Sequence, residues 1–287
     1  MAILDEAMVV TRWSARPGNR RGAIAQQIPA CAIAAVPRIL AMERILNVSA
    51  YRFVELDDAP AWQERIRAEA QRLELKGSVL LATEGINLVL AGNELRVRAF
   101  LDWLRTDPRL AGLAVKESFS VTVPFARLRV KIKREIIRMD CPTVRPAAAR
   151  APAVSAATLA RWLAAGHDDA GRPVVTLDTR NAFEVDHGAF QGAIDWRLAR
   201  FGEFPAALAA HQGELAGKTV VTYCTGGIRC EKAAILMRDS GVEHVLQLDG
   251  GILAYFEQTP GAPHWRGGCF VFDERVALGP TLEPLAA

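Results

Sequence analysis

Three short stretches in the second half of the chain are largely apolar without alternation: Val174-Val175-Thr176-Leu177, Thr219-Val220-Val221-Thr222-Tyr223 and His244-Val245-Leu246-Gln247-Leu248. A strand that buries one face alternates apolar with polar residues. Uninterrupted runs of this length therefore read as strands covered on both faces, the pattern of a parallel sheet between helical layers. Helical patterns lie between them, including Glu231 to Asp239, and Ser155 stands as the N-cap of a helix carrying Leu159, Trp162 and Leu163 to a stop near Gly166. Alternating strand and helix predicts an open α/β domain.

The first half reads differently. Ile45 to Val54 is rich in β-branched and aromatic residues, Asp58 follows in N-cap position, and Trp62, Ile66, Ala70 and Leu73 recur at helical spacing. Ser78 to Ala82 and Ile86 to Ala91, joined by the turn Thr83-Glu84-Gly85, give two more strands. Val97, Phe100, Leu101 and Leu104 mark a second helix, and Leu113 to Val123 a further strand. The order βαββαβ predicts an α+β, ferredoxin-like sandwich. Leu128 to Ile132, alternating apolar with basic residues, reads as an exposed edge strand.

A length of 287 residues suits two such domains. Pro142 to Pro152, containing RPAAARAP, is a linker by composition. The organisation expected is an extension at 1–41, disordered or read from a start upstream of Met42; a ferredoxin-like domain at 42–140; a linker at 141–152; an α/β domain at 153–260; and a C-terminal tail at 261–287. In the extension, Arg12, Arg16, Arg20 and Arg21 precede a weak apolar run broken by Gln26, Gln27 and Pro29, without the order and strength of a secretory leader.

Composition removes several classes. Apolar residues make up 51% and charged residues 23%, which excludes general disorder, and no run approaches the roughly 20 apolar residues of a membrane helix. The 35 basic and 32 acidic residues nearly cancel, so net charge alone implies no polyanionic partner. Cys31, Cys141, Cys224, Cys230 and Cys269 are odd in number and dispersed, which argues for a reducing cytoplasm over a disulfide framework. They form no CxxC pair and the histidines are scattered, so no metal site is expected.

The chemistry concentrates at Cys224. This residue ends the buried strand TVVTY and opens the loop Thr225-Gly226-Gly227-Ile228-Arg229, which enters a helix near Cys230. The carboxyl end of a strand in an open α/β sheet is where ligands bind. Two glycines let the loop curl so that backbone N–H groups converge beside a helix N-terminus. A thiolate there is stabilised by those dipoles and by Arg229, so its pKa should fall below the roughly 8.5 of a free thiol. Cys230 reads either as a resolving thiol or as a small residue packed under the loop; Cys141 and Cys269 read as bystanders.

A second feature is a basic stripe. From Arg127 to Arg150 the chain holds eight basic residues against Glu135 and Asp140. On a strand, Arg127, Arg129, Lys131 and Lys133 share one face. Such a row either blocks sheet-to-sheet pairing at an exposed edge or follows a nucleic-acid backbone.

The spacing Cys224-x4-Arg229 is one residue shorter than the cysteine-phosphatase loop and resembles the rhodanese superfamily, in which the cysteine carries a sulfane sulfur. Leu177-Asp178-Thr179-Arg180 with Glu184, His187-Gly188 and Gly192-Ala193, and then Asp249-Gly250-Gly251-Ile252 with Ala254-Tyr255, are similar to the flanking rhodanese signatures in the same order. The resemblance widens with TEGIN (Thr83 to Asn87), VKIKREI (Val130 to Ile136), FGEFP (Phe201 to Pro205), CTGGIRCEK (Cys224 to Lys232) and CFVFD (Cys269 to Asp273). Together these resemble the tRNA uridine(34) hydroxylase family over about residues 45 to 276.

That resemblance implies oxygen-dependent conversion of the wobble uridine of certain tRNAs to 5-hydroxyuridine, with Cys224 as the active-site, persulfide-type cysteine. It implies a cytoplasmic enzyme that takes the tRNA anticodon loop as partner, without an obligate protein partner. It makes Arg127, Arg129, Lys131 and Lys133 candidate phosphate contacts, and Tyr223 and Arg229 candidates to stack on a splayed base. No cofactor motif is visible, so molecular oxygen stands as co-substrate alone. Two chemical routes stay open: addition of the Cys224 thiolate to C6 of uracil, or a Cys224 persulfide or sulfenate resolved by Cys230. Two other functions stand beside the hydroxylase: a thiosulfate-type sulfurtransferase working through a Cys224 persulfide, and a non-catalytic tRNA-binding module.

Overall fold

The computed structural model describes residues 44–285, and the extension expected at 1–41 lies outside the described residues. The first domain runs β1 (Ile45–Phe53), α1 (Ala59–Arg72), β2 (Lys76–Ala82), β3 (Gly85–Asn93), α2 (Glu94–Arg105), β4 (Val115–Ser120) and β5 (Leu128–Ile132). Its sheet has the order β4-β1-β3-β2-β5. The first four strands pair antiparallel in the ferredoxin-like arrangement, and β5 adds at the edge, parallel to β2.

Strand periodicity explains how this sheet is used. Leu46, Val48 and Ala50 of β1, with Val79 and Leu81 of β2 and Ile86, Leu88 and Leu90 of β3, pack on Trp62 and Ile66 of α1 and Phe100 and Leu104 of α2. Alternate residues point to the opposite face, where Asn47, Ser49, Tyr51, Ser78, Asn87 and Lys116 form a polar surface with no helix of this domain on it. Asp58 occupies the N-cap position of α1 but makes no capping bond. Arg109 takes its carboxylate instead, at 2.7 and 3.0 Å, because a bidentate guanidinium is the stronger partner.

The second domain runs β6 (Ala153–Val154), α3 (Ala156–Ala165), β7 (Val174–Asp178), α4 (Ala182–Val185), β8 (Gly188–Phe190), β9 (Ile194–Asp195), α5 (Phe204–His211), β10 (Thr219–Tyr223), α6 (Ile228–Asp239), β11 (Val245–Leu248), α7 (Gly251–Gln258), β12 (Trp265–Gly267), β13 (Cys269–Phe270) and β14 (Ala277–Leu278). The main sheet is wholly parallel, β6-β11-β10-β7-β9, with β10 at its centre and every residue of β10 buried. Apolar clusters cover both of its faces, as the unalternating runs require. The architecture is therefore α+β followed by open α/β.

Two segments depart from the sequence expectation. The stretch at 261–287, expected as a tail, is built into the second domain as far as it is described. β12 pairs with β8, and Trp265, Cys269 and Leu278 join the core around Phe190, Tyr223 and Tyr255. Its strands are two or three residues long, too short to print a period in the sequence. It also reaches the first domain, where Glu274 N–H donates to the Pro124 carbonyl at 3.1 Å and Arg275 Nη1 donates to Ser118 Oγ at 2.8 Å. The linker at 141–152 is likewise packed, with Val144 and Ala151 buried in the cluster under β10.

The domains are joined by a buried ion cluster. Lys232 of α6, 2% exposed, lies 2.8 Å from Glu84 Oε2 in the β2–β3 turn and 2.6 Å from Glu135 Oε2 after β5, and donates to the Ile137 carbonyl at 3.0 Å. Glu84, Glu135 and Lys232 come from TEGIN, VKIKREI and CTGGIRCEK, three stretches far apart in sequence.

Candidate active site

Cys224 follows β10 directly, and the loop returns its backbone toward the sulfur: Gly227 N–H donates to Cys224 Sγ at 3.1 Å. Gly227 adopts φ +99°, a conformation that calls for glycine, and a Cβ there would press on the Tyr51 hydroxyl at 2.9 Å. The turn before α7 locks the loop from the other side. Ile252 N–H donates to the Cys224 carbonyl at 3.0 Å and Leu253 N–H to the Thr225 carbonyl at 3.1 Å. Gly251, at φ +68°, would with any side chain place Cβ 2.5 Å from the Cys224 carbonyl oxygen.

The electrostatics favour a thiolate. Burial works against it, but the hydrogen bond from the Cys230 thiol, the Arg229 charge and the N–H groups of Arg229 and Gly227 outweigh burial and hold the Cys224 thiol down to about 5. Cys230 is pushed well above the ordinary thiol range, first by burial and then by its hydrogen bond to Cys224 and the charge there. It therefore stays protonated beside the Cys224 thiolate. Cys269, also buried, is pushed up to about 12 by burial.

Arg229 is held rather than free. Its two terminal nitrogens donate to both Glu184 oxygens at 2.6 and 2.7 Å, and Glu184, buried as it is, stays below the usual carboxylate range through that pairing. Among the described residues Arg229 Nε has no hydrogen-bond partner. Asp178 and Arg180 form a second buried pair at 2.6 Å, with Arg180 also donating to the Gly188 carbonyl at 2.7 Å. That pair ties β7 to β8 beneath the loop.

Above the loop is a cavity of about 590 Å³. Cys224, Thr225, Gly226, Ile228 and Arg229 form its floor, and the polar face of the first domain's sheet forms the opposite wall, with Ser49 over Gly226 and Tyr51 over Gly227. Tyr51 donates its hydroxyl proton to Glu231 Oε1 at 3.0 Å, and Arg150 Nε donates to the same oxygen at 3.0 Å. Lys116 extends over the Tyr51 ring, its Nζ 5.0 Å from the centroid. Burial lowers the Lys116 pKa from the ordinary lysine value.

Arg127, Arg129, Lys131 and Lys133 are all exposed along the β5 edge, and Arg127 and Arg129 line a hollow beside the main cavity. The two residues expected to stack on a base do not fit that role. Tyr223 is fully buried, edge-on to Phe190 at 4.9 Å, because successive strand residues point to opposite faces and it faces away from the loop. Arg229 is 5% exposed and engaged by Glu184. The exposed aromatic surface is elsewhere. Phe272, 60% exposed, packs edge-on to Phe270 at 5.2 Å and to Phe183 at 6.3 Å, and lines both the cavity and the hollow. The apolar stretch Cys269 to Asp273 was the sequence signal for this surface. Among the described residues no three His, Cys, Asp or Glu side chains gather as metal ligands, and no helix is long and apolar enough to cross a membrane.

Comparison with known proteins matches both halves. Residues 45–136 fit the UPF0176 acylphosphatase like domain and residues 156–258 the rhodanese-like domain. The tRNA uridine(34) hydroxylase of Bordetella petrii is 63% identical over 246 residues, 86% of this chain and 97% of that protein. The protein of the same name from Delftia acidovorans is 64% identical over 247 residues, covering 85% and 94%, and that of Bordetella pertussis is 58% identical over 245 residues, covering 85% and 100%. With relatives this similar along nearly their whole length, the chain belongs to the tRNA uridine(34) hydroxylase family.

Proposed function

We propose that the protein is a cytoplasmic enzyme that hydroxylates C5 of uridine 34 in tRNA, with molecular oxygen as co-substrate and Cys224 as the reacting thiolate. One observation carries this reading beyond family membership: the cysteine loop faces a partly open cavity whose other wall is a polar sheet surface, a space suited to one extruded nucleotide. A sulfurtransferase loop working on a small anion needs no such wall.

In this scheme Cys224 Sγ bonds to C6 of the uracil, and the C5–C6 electron pair moves to C5 and the O4 carbonyl as an enolate. C5 takes one atom of dioxygen. Loss of the C5 proton and departure of the thiolate restore the double bond, giving 5-hydroxyuridine and free Cys224. The second oxygen atom leaves as water, with two electrons and two protons from a thiol-class reductant in solution. Arg229, fixed by Glu184, and the loop N–H groups hold the sulfur as thiolate between turnovers. Arg127 and Arg129, with Lys131 and Lys133 further along β5, support anticodon-loop phosphates, and Phe272 offers a stacking face at the cavity rim.

A second reading, sulfur transfer, has one observation in its favour. Cys224 has no exposed surface of its own, and a sulfane sulfur bonded to it would carry the reactive atom about 2 Å further into the cavity. Nucleoside mass spectrometry of tRNA separates the two, using cells that lack the protein and cells complemented with wild type or Cys224→Ser. The hydroxylase reading expects 5-hydroxyuridine to vanish, return with wild type and stay absent with Cys224→Ser. Unchanged 5-hydroxyuridine throughout, with rapid cyanide-dependent sulfur transfer by the purified protein, would establish the second reading.

A further inference from the structure

Asn47 on β1 is 3% exposed and lines the cavity. Its amide nitrogen donates to the Ser118 carbonyl at 3.3 Å and to Ser120 Oγ at 2.9 Å. A carbonyl only accepts, so the amide is oriented with its NH2 group toward β4. Its oxygen is left without a partner among the described residues. A buried acceptor without a donor is costly, and such orphans mark places where a bound group completes the network.

We propose that Asn47 selects uracil, its side-chain oxygen accepting the N3–H of the target base. This rests on the reading of the cavity as the uridine 34 site. The placement follows from β1 itself. Tyr51 and Ser49 stand over Gly227 and Gly226, and Asn47 is the next residue on that face, about 7 Å further along the strand. In the pyrimidine ring C6 and N3 are opposite corners. A base that presents C6 to the Cys224 thiolate therefore points N3 away from the loop, along the wall on which Asn47 lies.

The neighbours complete the match. Lys116 pairs in register with Ser49 and Ser118 with Asn47, so an ammonium and a hydroxyl stand on the β4 side of the cavity wall, the side toward which the Asn47 amide nitrogen points. Among the described residues Lys116 has no carboxylate at ion-pair distance. Uracil presents acceptor, donor, acceptor along its Watson–Crick edge, and the wall offers one acceptor, the Asn47 oxygen, with Lys116 and Ser118 as donors on its β4 side. Cytosine would set its own N3 acceptor against the Asn47 oxygen.

The test uses the full chain and labelled anticodon stem-loop RNAs carrying uridine, 3-methyluridine or cytidine at position 34, with affinity read by fluorescence anisotropy. Wild type is expected to prefer uridine by about tenfold or more over both alternatives, and Asn47→Ala to bind the three within about twofold of one another. Equal binding of the three RNAs by wild type, or an Asn47→Ala protein that keeps the preference, overturns the assignment. If Asn47→Ala fails to fold, Asn47→Ser takes its place, with loss of the preference expected and a kept preference overturning the assignment. The underlying reading is checked separately by 5-hydroxyuridine in cells carrying wild type. If product forms while the three loops bind alike, only the Asn47 role falls; if no product forms and no loop binds, both fall.

Discussion

Replacing Lys232 by methionine should cost the protein about 3 kcal/mol. The lysine is buried, and its ammonium meets Glu84, Glu135 and the Ile137 carbonyl at 2.6 to 3.0 Å. Methionine fills much of the same volume but leaves two carboxylates sharing a pocket with no counter-ion. Removing one partner of a buried ion pair costs about 3–5 kcal/mol. Glu84 and Glu135 keep 20% and 19% of their side-chain surface exposed, so each can turn partly toward water and the lower figure applies. For a protein of this size, roughly 2–4 °C of midpoint per kcal/mol gives a fall of about 6–12 °C. The pH dependence has a defined sign. Burial works against the charge on Glu135, yet the Lys232 hydrogen bond, the Met139 and Asp140 N–H groups and the Lys232 charge hold its pKa below the ordinary glutamate range. A carboxylate lowered in the folded state contributes stability that is complete above its unfolded pKa and is lost as pH falls through the folded one. Without Lys232 the same carboxyl is buried and under-compensated, so protonation favours the folded variant. The gap between wild type and Lys232→Met should therefore narrow from pH 7.5 toward pH 4.5. Thermal unfolding followed by tryptophan fluorescence reads both effects, and adding Glu84→Gln and Glu135→Gln should recover more than half of the loss. A fall under about 2 °C at pH 7.5, or a gap independent of pH, would refute the account of the cluster as the clamp between domains.

Two further outcomes test the site. Alkylation of Cys224 by iodoacetamide, mapped by peptide mass spectrometry, should be nearly flat from about pH 6 upward, because a thiol held down to about 5 is already ionised there; a rate climbing about tenfold per unit up to pH 8.5, as for a free thiol, would show that the loop does not stabilise the thiolate. Phe272→Ala should weaken binding of the uridine 34 stem-loop by roughly 5- to 150-fold, the range of one base–aromatic stack, while leaving the unfolding midpoint unchanged because the ring is 60% exposed. Arg129→Ala should instead reduce the slope of log affinity against log salt by about one, and an unchanged slope would remove Arg129 from the phosphate path.

What the sequence made legible follows from how local each feature is. The thiolate nest is contiguous from Cys224 to Cys230, so strand, glycines and arginine can be read together and the chemistry inferred before any fold is known. Tyr223 shows where adjacency misleads: it neighbours Cys224 in sequence, but a strand buried on both faces sends consecutive side chains into different layers. The same alternation puts Asn47, Ser49 and Tyr51 on one face of β1, and this much was available from the sequence. That this face would be covered by another domain's loop rather than by water was not, since a polar strand face reads alike in both settings. Glu184, which fixes Arg229 from 45 residues away, and the triad of Glu84, Glu135 and Lys232, spread over 148 residues, depend on chain folding that no local pattern encodes. The 261–285 segment was opaque for a related reason: strands of two or three residues draw their pairing from the surface they meet. The part of the site that stabilises the Cys224 thiolate is thus written in one motif, whereas the part proposed to recognise the base is assembled from residues whose only common feature is the cavity they line.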